Sequence, residues 1–119
     1  LQALNLLNDP VIIEAARALA RYATGEDAGQ EMTLEDETTA IELIWRSCVT
    51  RPPESAELST ILDYYHQQLR RLRDEHSLVE SIIGDDKLSD AASTTAAELA
   101  ALTLVSRALL NLDETITRP

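Results

Sequence analysis

Apolar positions recur along this chain at intervals of three and four, the period of a helix that turns one face inward. Ile12, Ala15, Ala16, Leu19 and Ala23 share such a face and predict a helix from Pro10 to about Ala23. Ahead of it lies a short apolar turn over Leu1–Leu7. Asn8 suits the left-handed position that closes this turn, Asp9 can accept backbone N–H groups as a cap, and Pro10 fits a first helical position, whose N–H needs no partner. Gly25 and Gly29 end the helix, and the polar stretch from Thr24 to Met32 reads as a surface loop. A second helix starts at Thr33, whose hydroxyl can cap while Asp36 faces the exposed N–H groups. It carries Ile41, Ile44, Trp45 and Cys48 inward.

Thr50-Arg51-Pro52-Pro53 stops that helix, because a residue before proline is pushed out of the helical region and proline cannot donate the next bond. A third helix begins near Glu54 or Ser55 and is expected to reach about His76, with Leu58, Ile61, Leu62, Tyr65, Leu69 and Leu72 in its stripe. Arg70, Arg71 and Arg73 fall near its negative pole, where cations are favoured, and His76 is read as one more. Gly84-Asp85-Asp86-Lys87 is a second loop. The fourth helix, from about Asp90 to Leu112, is apolar on most of its circumference through Ala97, Leu99, Ala101, Leu102, Leu104, Val105, Ala108, Leu109 and Leu112. A helix of that kind belongs in the middle of a bundle. No segment alternates as a strand would. The expected fold is all-α: a compact bundle of four main helices plus a short N-terminal helical turn, in one domain over residues 1–119.

The formal charge of −11 argues against nucleic acid and anionic membrane surfaces as partners, and favours solubility or a basic protein partner. No transmembrane segment is expected, because Arg17, Arg21, Arg46 and Arg107 interrupt the apolar candidates. The single cysteine, Cys48, excludes an intrachain disulfide and a cysteine zinc site, and reads as a small buried hydrophobe. The chain starts at Leu1, without methionine and already inside an apolar pattern, so it is expected to be a piece of a longer domain whose targeting segment lies elsewhere.

Several stretches carry a resemblance. LQALNLLNDP with the following EAARALA, the RPP corner with Glu57-Leu58 behind it, and the closing LLNLDETITR resemble the C-terminal part of a planctomycete surface-protein domain of unknown function, the PSD type, that accompanies cytochrome-c-like domains. The chain departs from the usual form at Leu102, where an aromatic is common, and at Thr115, where phenylalanine is common. The resemblance implies an extracytoplasmic location, whether secreted, periplasmic or on the cell surface, and it implies no reaction. It marks Asn8, Asp9, Pro10, Arg51, Pro52, Asn111, Asp113 and Arg118 as structural determinants.

Candidate chemistry is sparse. Covalent haem attachment needs two cysteines ahead of a histidine, which this chain lacks, and His66 beside Tyr64 and Tyr65 reads as a histidine at the edge of the third helix's stripe. The acidic patches Glu26, Asp27, Glu31, Glu35, Asp36, Glu37 and Asp85, Asp86, Asp90 do not follow a calcium-loop spacing and read as solvated faces and helix starts. Asp113 and Glu114 are neighbours near a helix end, where bonding to backbone or pairing with Arg118 is the ordinary task. No catalytic, cofactor-binding or metal residue is therefore assigned, and no cofactor is expected in this piece. The favoured reading is a non-catalytic helical module of a large secreted or surface protein. Its Leu1, Leu4 and Leu7 would meet the upstream part of the same polypeptide, or a second copy in a homodimer. The rival reading is an accessory part of an extracellular redox or polysaccharide-degrading enzyme whose site needs the missing upstream portion.

Overall fold

The computed structural model describes residues 10–24, 32–84 and 93–116, and these hold five helices and no strand. They are α1 (Pro10–Thr24), α2 (Leu34–Cys48), α3 (Ser55–Leu72), α4 (His76–Ile83) and α5 (Ser93–Ile116). The all-α class follows from the periodicity as expected. The apolar turn over Leu1–Leu7, the glycines Gly25 and Gly29, and the acidic patches around Asp27 and Asp85 lie outside the described residues.

α2 starts where the local chemistry puts it. The Asp36 N–H donates to Thr33 Oγ1 at 3.1 Å, and the Thr33 N–H donates to Asp36 Oδ2 at 3.1 Å, so two backbone donors that the helix cannot satisfy are satisfied reciprocally. Its apolar stripe buries Ala40, Ile41, Ile44, Trp45 and Cys48. Val49 is already extended, ahead of the proline corner.

α3 ends at Leu72 instead of running to His76, and a further helix, α4, takes up the chain. An unbroken helix from Ser55 to Ile83 would be about 43 Å long, against about 36 Å for α5. The turn at Arg73–Glu75, with the Glu75 N–H donating to the Leu72 carbonyl at 3.1 Å, brings Val79, Ile82 and Ile83 back into the core. His76 is therefore the exposed first residue of α4, and not a cation at the end of the preceding helix.

The end of α4 is held by another helix. Arg17 of α1 donates from Nε to the Ile82 carbonyl at 2.9 Å and from Nη2 to the Ser81 carbonyl at 3.2 Å, covering acceptors that the helix leaves open. Gly84 follows at φ 79°, and a Cβ there would lie 3.1 Å from Arg17 Cζ.

α5 packs against each of the other four helices, as its nearly all-round apolarity predicts. Ala97 and Leu99 to Leu102 are buried together with Val105 and Leu109, while Leu104 is half-buried and Ala108 reaches solvent. The side chain of Leu112 lies outside the described set. Thr103 and Ser106 are also buried. Their hydroxyls donate to the carbonyls of Leu99 and Leu102, at 2.8 and 2.9 Å, so neither is stranded. Alanines at 16, 20, 97, 100 and 101, all fully enclosed, let the backbones come close. No helix among the described residues is long and apolar enough to cross a membrane.

Candidate functional site

Four polar side chains stand where α2, α3 and α5 meet. Glu37 precedes Ala40, Ile41 and Ile44 by three, four and seven positions, so it heads the inner stripe of α2 and is buried. Glu98 precedes Ala101, Leu102 and Val105 in the same way on α5 and is 2% exposed. Tyr65 sits in the α3 stripe and is fully enclosed, with His66 beside it at the edge. Glu37 is thus not part of a solvated acidic face, which is where its charge alone would put it.

Glu37 Oε1 lies 3.0 Å from His66 Nε2. An ionised carboxylate only accepts, so this contact places hydrogen on Nε2. The His66 side chain is 34% exposed and that of Glu37 9%, so the pair opens to solvent through the imidazole. The Tyr65 and His66 rings meet edge to face with centroids 5.3 Å apart. Glu98 Oε2 accepts the Met32 N–H at 3.0 Å, just ahead of the Thr33 cap. Burial, followed by the negative charges of Glu37 and Glu98, pushes the Tyr65 phenol far above its ordinary range, with Arg73 opposing weakly. Such a group can hold or pass a proton only through its neighbours, and the Glu37–His66 pair is the part of the cluster with access to water.

Among the described residues no group of three or more His, Cys, Asp or Glu side chains is placed to hold a metal ion. Cys48 is buried in the same apolar cluster as Trp45 and Val49.

The residues marked by sequence as structural determinants fall in several places. Pro10 opens α1. Arg51 forms a two-pronged pair with Glu57, Nη1 to Oε1 at 2.8 Å and Nη2 to Oε2 at 2.7 Å, and its guanidinium lies 5.4 Å from the centre of the Trp45 ring. Trp45 Nε1 donates to the Arg51 carbonyl at 2.6 Å, and the Pro52 carbonyl accepts from Arg51 Nη1 at 3.3 Å. The Arg51 hydrogen bond, followed by the Glu54 N–H, lowers the Glu57 carboxyl to about 2. Asn111 is half-buried on α5, and Asp113 belongs to the last turns of that helix. Asn8, Asp9 and Arg118 lie outside the described residues.

Sequence reasoning passed over Glu37 and Glu98 as core groups. The signal was their spacing: each acid stands in register with the apolar stripe of its own helix.

No curated protein and no solved structure matches the chain. A family match covers residues 1–65, through α1, α2 and α3 as far as Tyr65, which is more than half of the 119 residues. The chain belongs to that family, PSD1, described as protein of unknown function (DUF1553).

Proposed function

We propose that this chain is a non-catalytic helical module of a larger secreted or surface protein, serving structure and partner binding. The observation that carries the reading is the use made of Glu98, a core carboxylate that fastens the backbone of Met32 at 3.0 Å. Glu37 likewise engages His66, and Arg17 the carbonyls that end α4. Side chains that an enzyme would aim at a substrate are committed here to the chain itself. An extracytoplasmic location, a planctomycete source and company with cytochrome-c-like domains are parts of the same proposal, supported by the terminal motifs. The upstream polypeptide would meet Leu1, Leu4 and Leu7, and the acidic surface would meet a basic protein.

The test is titration of the chain with a basic cytochrome at low and at raised ionic strength. Binding should weaken as the Debye length contracts from about 30 Å at 0.01 M to about 8 Å at 0.15 M salt. No association at low ionic strength would remove the partner-binding part of the reading.

One feature favours a second reading, an accessory role in an extracellular redox or polysaccharide-degrading enzyme. His66 is paired with a carboxylate and still open to solvent, the situation in which an imidazole exchanges protons. If His66→Gln abolished an activity of the longer polypeptide without moving its melting temperature, this second reading would be preferred. A lowered melting temperature with activity retained supports the structural one. A melting temperature raised by calcium would instead point to an ion site, by mass action.

A further inference from the structure

We infer that the C-terminal end of α3 is a docking surface for a short acidic peptide segment of a partner protein, whose carboxylates are held by Arg70, Arg71 and Arg73. All three arginines are exposed, and they crowd the end of one helix in a chain whose net charge is −11. The negative pole of a helix amounts to roughly half a charge, so it accounts for only a fraction of this cluster.

The fold leaves these guanidiniums without acids of their own. Asp74 and Glu75 stand four positions after Arg70 and Arg71, the spacing at which a continuous helix pairs opposite charges. α3 stops at Leu72 and the chain turns, and neither acid forms an ion pair among the described residues. Arg71 Nη1 donates to the neutral Gln68 Oε1 at 3.0 Å, while the side chains of Arg70 and Arg73 make no hydrogen bond or ion pair among the described residues. Arg17 and Arg51, by contrast, are paired with Glu14 and Glu57. His66, one turn before Arg70, is already held by Glu37, and Asp63, about 10 Å from Arg70 along the helix, bounds the patch.

Spacing and charge select the occupant. Arg70 and Arg73 lie one turn apart on one edge of α3, with side chains rooted about 5–6 Å from each other. Acids at alternate positions of an extended segment present their carboxylates on one side about 7 Å apart, a separation that two arginines span, and Arg71 flanks the pair. The two-pronged contact between Arg51 and Glu57, at 2.8 and 2.7 Å, is the contact that each arginine offers. A nucleic acid or an anionic membrane extends past the patch and meets the acids of the remaining chain, whereas a short segment does not. At 0.15 M salt the Debye length is about 8 Å, so distant acids are screened while contacts within the patch persist. This surface is opposite in charge to the one invoked for the module role, and the inference does not depend on that role.

Fluorescence anisotropy tests the proposal, with a dye-labelled peptide of alternating Glu and Ser titrated by the 119-residue chain to about 1 mM in 0.15 M salt. Expected is binding that Arg70→Gln and Arg73→Gln each weaken roughly threefold and together roughly tenfold. Arg46→Gln, the same charge change at an exposed arginine of α2, should leave it unchanged. Arg70→Lys/Arg73→Lys keeps the cations at the helix pole, and with them the fold, and should fall between wild type and the double Gln variant, because an ammonium lacks the guanidinium fork. A wild-type chain that does not bind the peptide overturns the proposal, as does an equal loss in Arg46→Gln. Tighter binding of a single-stranded oligonucleotide of equal charge overturns the acidic-peptide assignment, and a Lys variant as tight as wild type overturns the forked contact.

Discussion

Removing one oxygen atom from the core of this domain should make it more stable. Tyr65 is wholly enclosed and its hydroxyl makes no hydrogen bond in the structure. A buried hydroxyl taken from water without a partner costs about 1–3 kcal/mol. Tyr65→Phe keeps the ring and its edge contact with His66 and deletes that unsatisfied group. Allowing for the small void left behind, the gain is about 1 kcal/mol, which for a domain of this length is a rise in melting temperature of roughly 3–6 °C. Thermal melts followed by circular dichroism at neutral pH measure it, with urea titrations to confirm an unchanged m-value.

The alkaline limb gives a second readout of the same substitution. Burial and the nearby acids raise the folded phenol above the unfolded value of about 10, so the folded state keeps its proton longer than the unfolded one. The stability this supports is complete below pH about 10 and declines as the pH rises further. In Tyr65→Phe that decline should be shallower. A lower melting temperature in the variant would refute the reasoning. It would mean that the hydroxyl donates to Glu37 in solution, the carboxylate whose charge already bears on the phenol.

Other substitutions test other parts of the fold. Leu102→Ala empties a fully enclosed site on the central helix and should cost about 3 kcal/mol, read as a lower urea midpoint. Gly84→Ala places a Cβ on a backbone at φ 79° and ψ −158°, a region used almost solely by glycine, and presses on Arg17. Its expected cost is about 1–3 kcal/mol in the same titration. Because the folded Glu57 carboxyl is lowered to about 2, the stability it lends is present above its ordinary value of 4.5 and lost as pH falls between the two. Melts across that window should slope less in Glu57→Gln, and an unchanged slope would show that the Arg51 pair does not persist in solution.

Much of the helical layout is written in local chemistry. Thr33 with Asp36, and Arg51 with the two prolines, mark ends that no distant contact has to supply, and the structure begins α2 and α3 there. The break between α3 and α4 is of another kind. Val79 and Ile83 stand seven and eleven positions after Leu72, so the apolar rhythm continues straight through the turn. The break folds α4 back so that Val79, Ile82 and Ile83 reach the core, a tertiary outcome that periodicity does not carry. The cluster around Tyr65 was half legible. Tyr65 lies in its stripe as the spacing requires, whereas Glu37 and Glu98 were obscured by their charge, which in a chain of −11 draws every acid toward the surface in a reading by composition.

Those two acids decide something that apolar patterning leaves open. α5 is apolar nearly all round, so rotating it by one residue, about 100°, would exchange one greasy face for another at little loss of buried area. Glu98 forbids the rotation, because its carboxylate can be buried only where a donor waits, and the Met32 N–H is that donor. The same contact ties α5 to the start of α2, so any ligand competing for Glu98 must first release Met32 and loosen the Thr33 cap beside it. Glu37 is different: its partner, His66, sits one-third exposed at the rim and can exchange Glu37 for another acceptor while α5 stays in place. Of the four side chains in the cluster His66 is the one that meets solvent, with Tyr65 and Glu98 enclosed behind it.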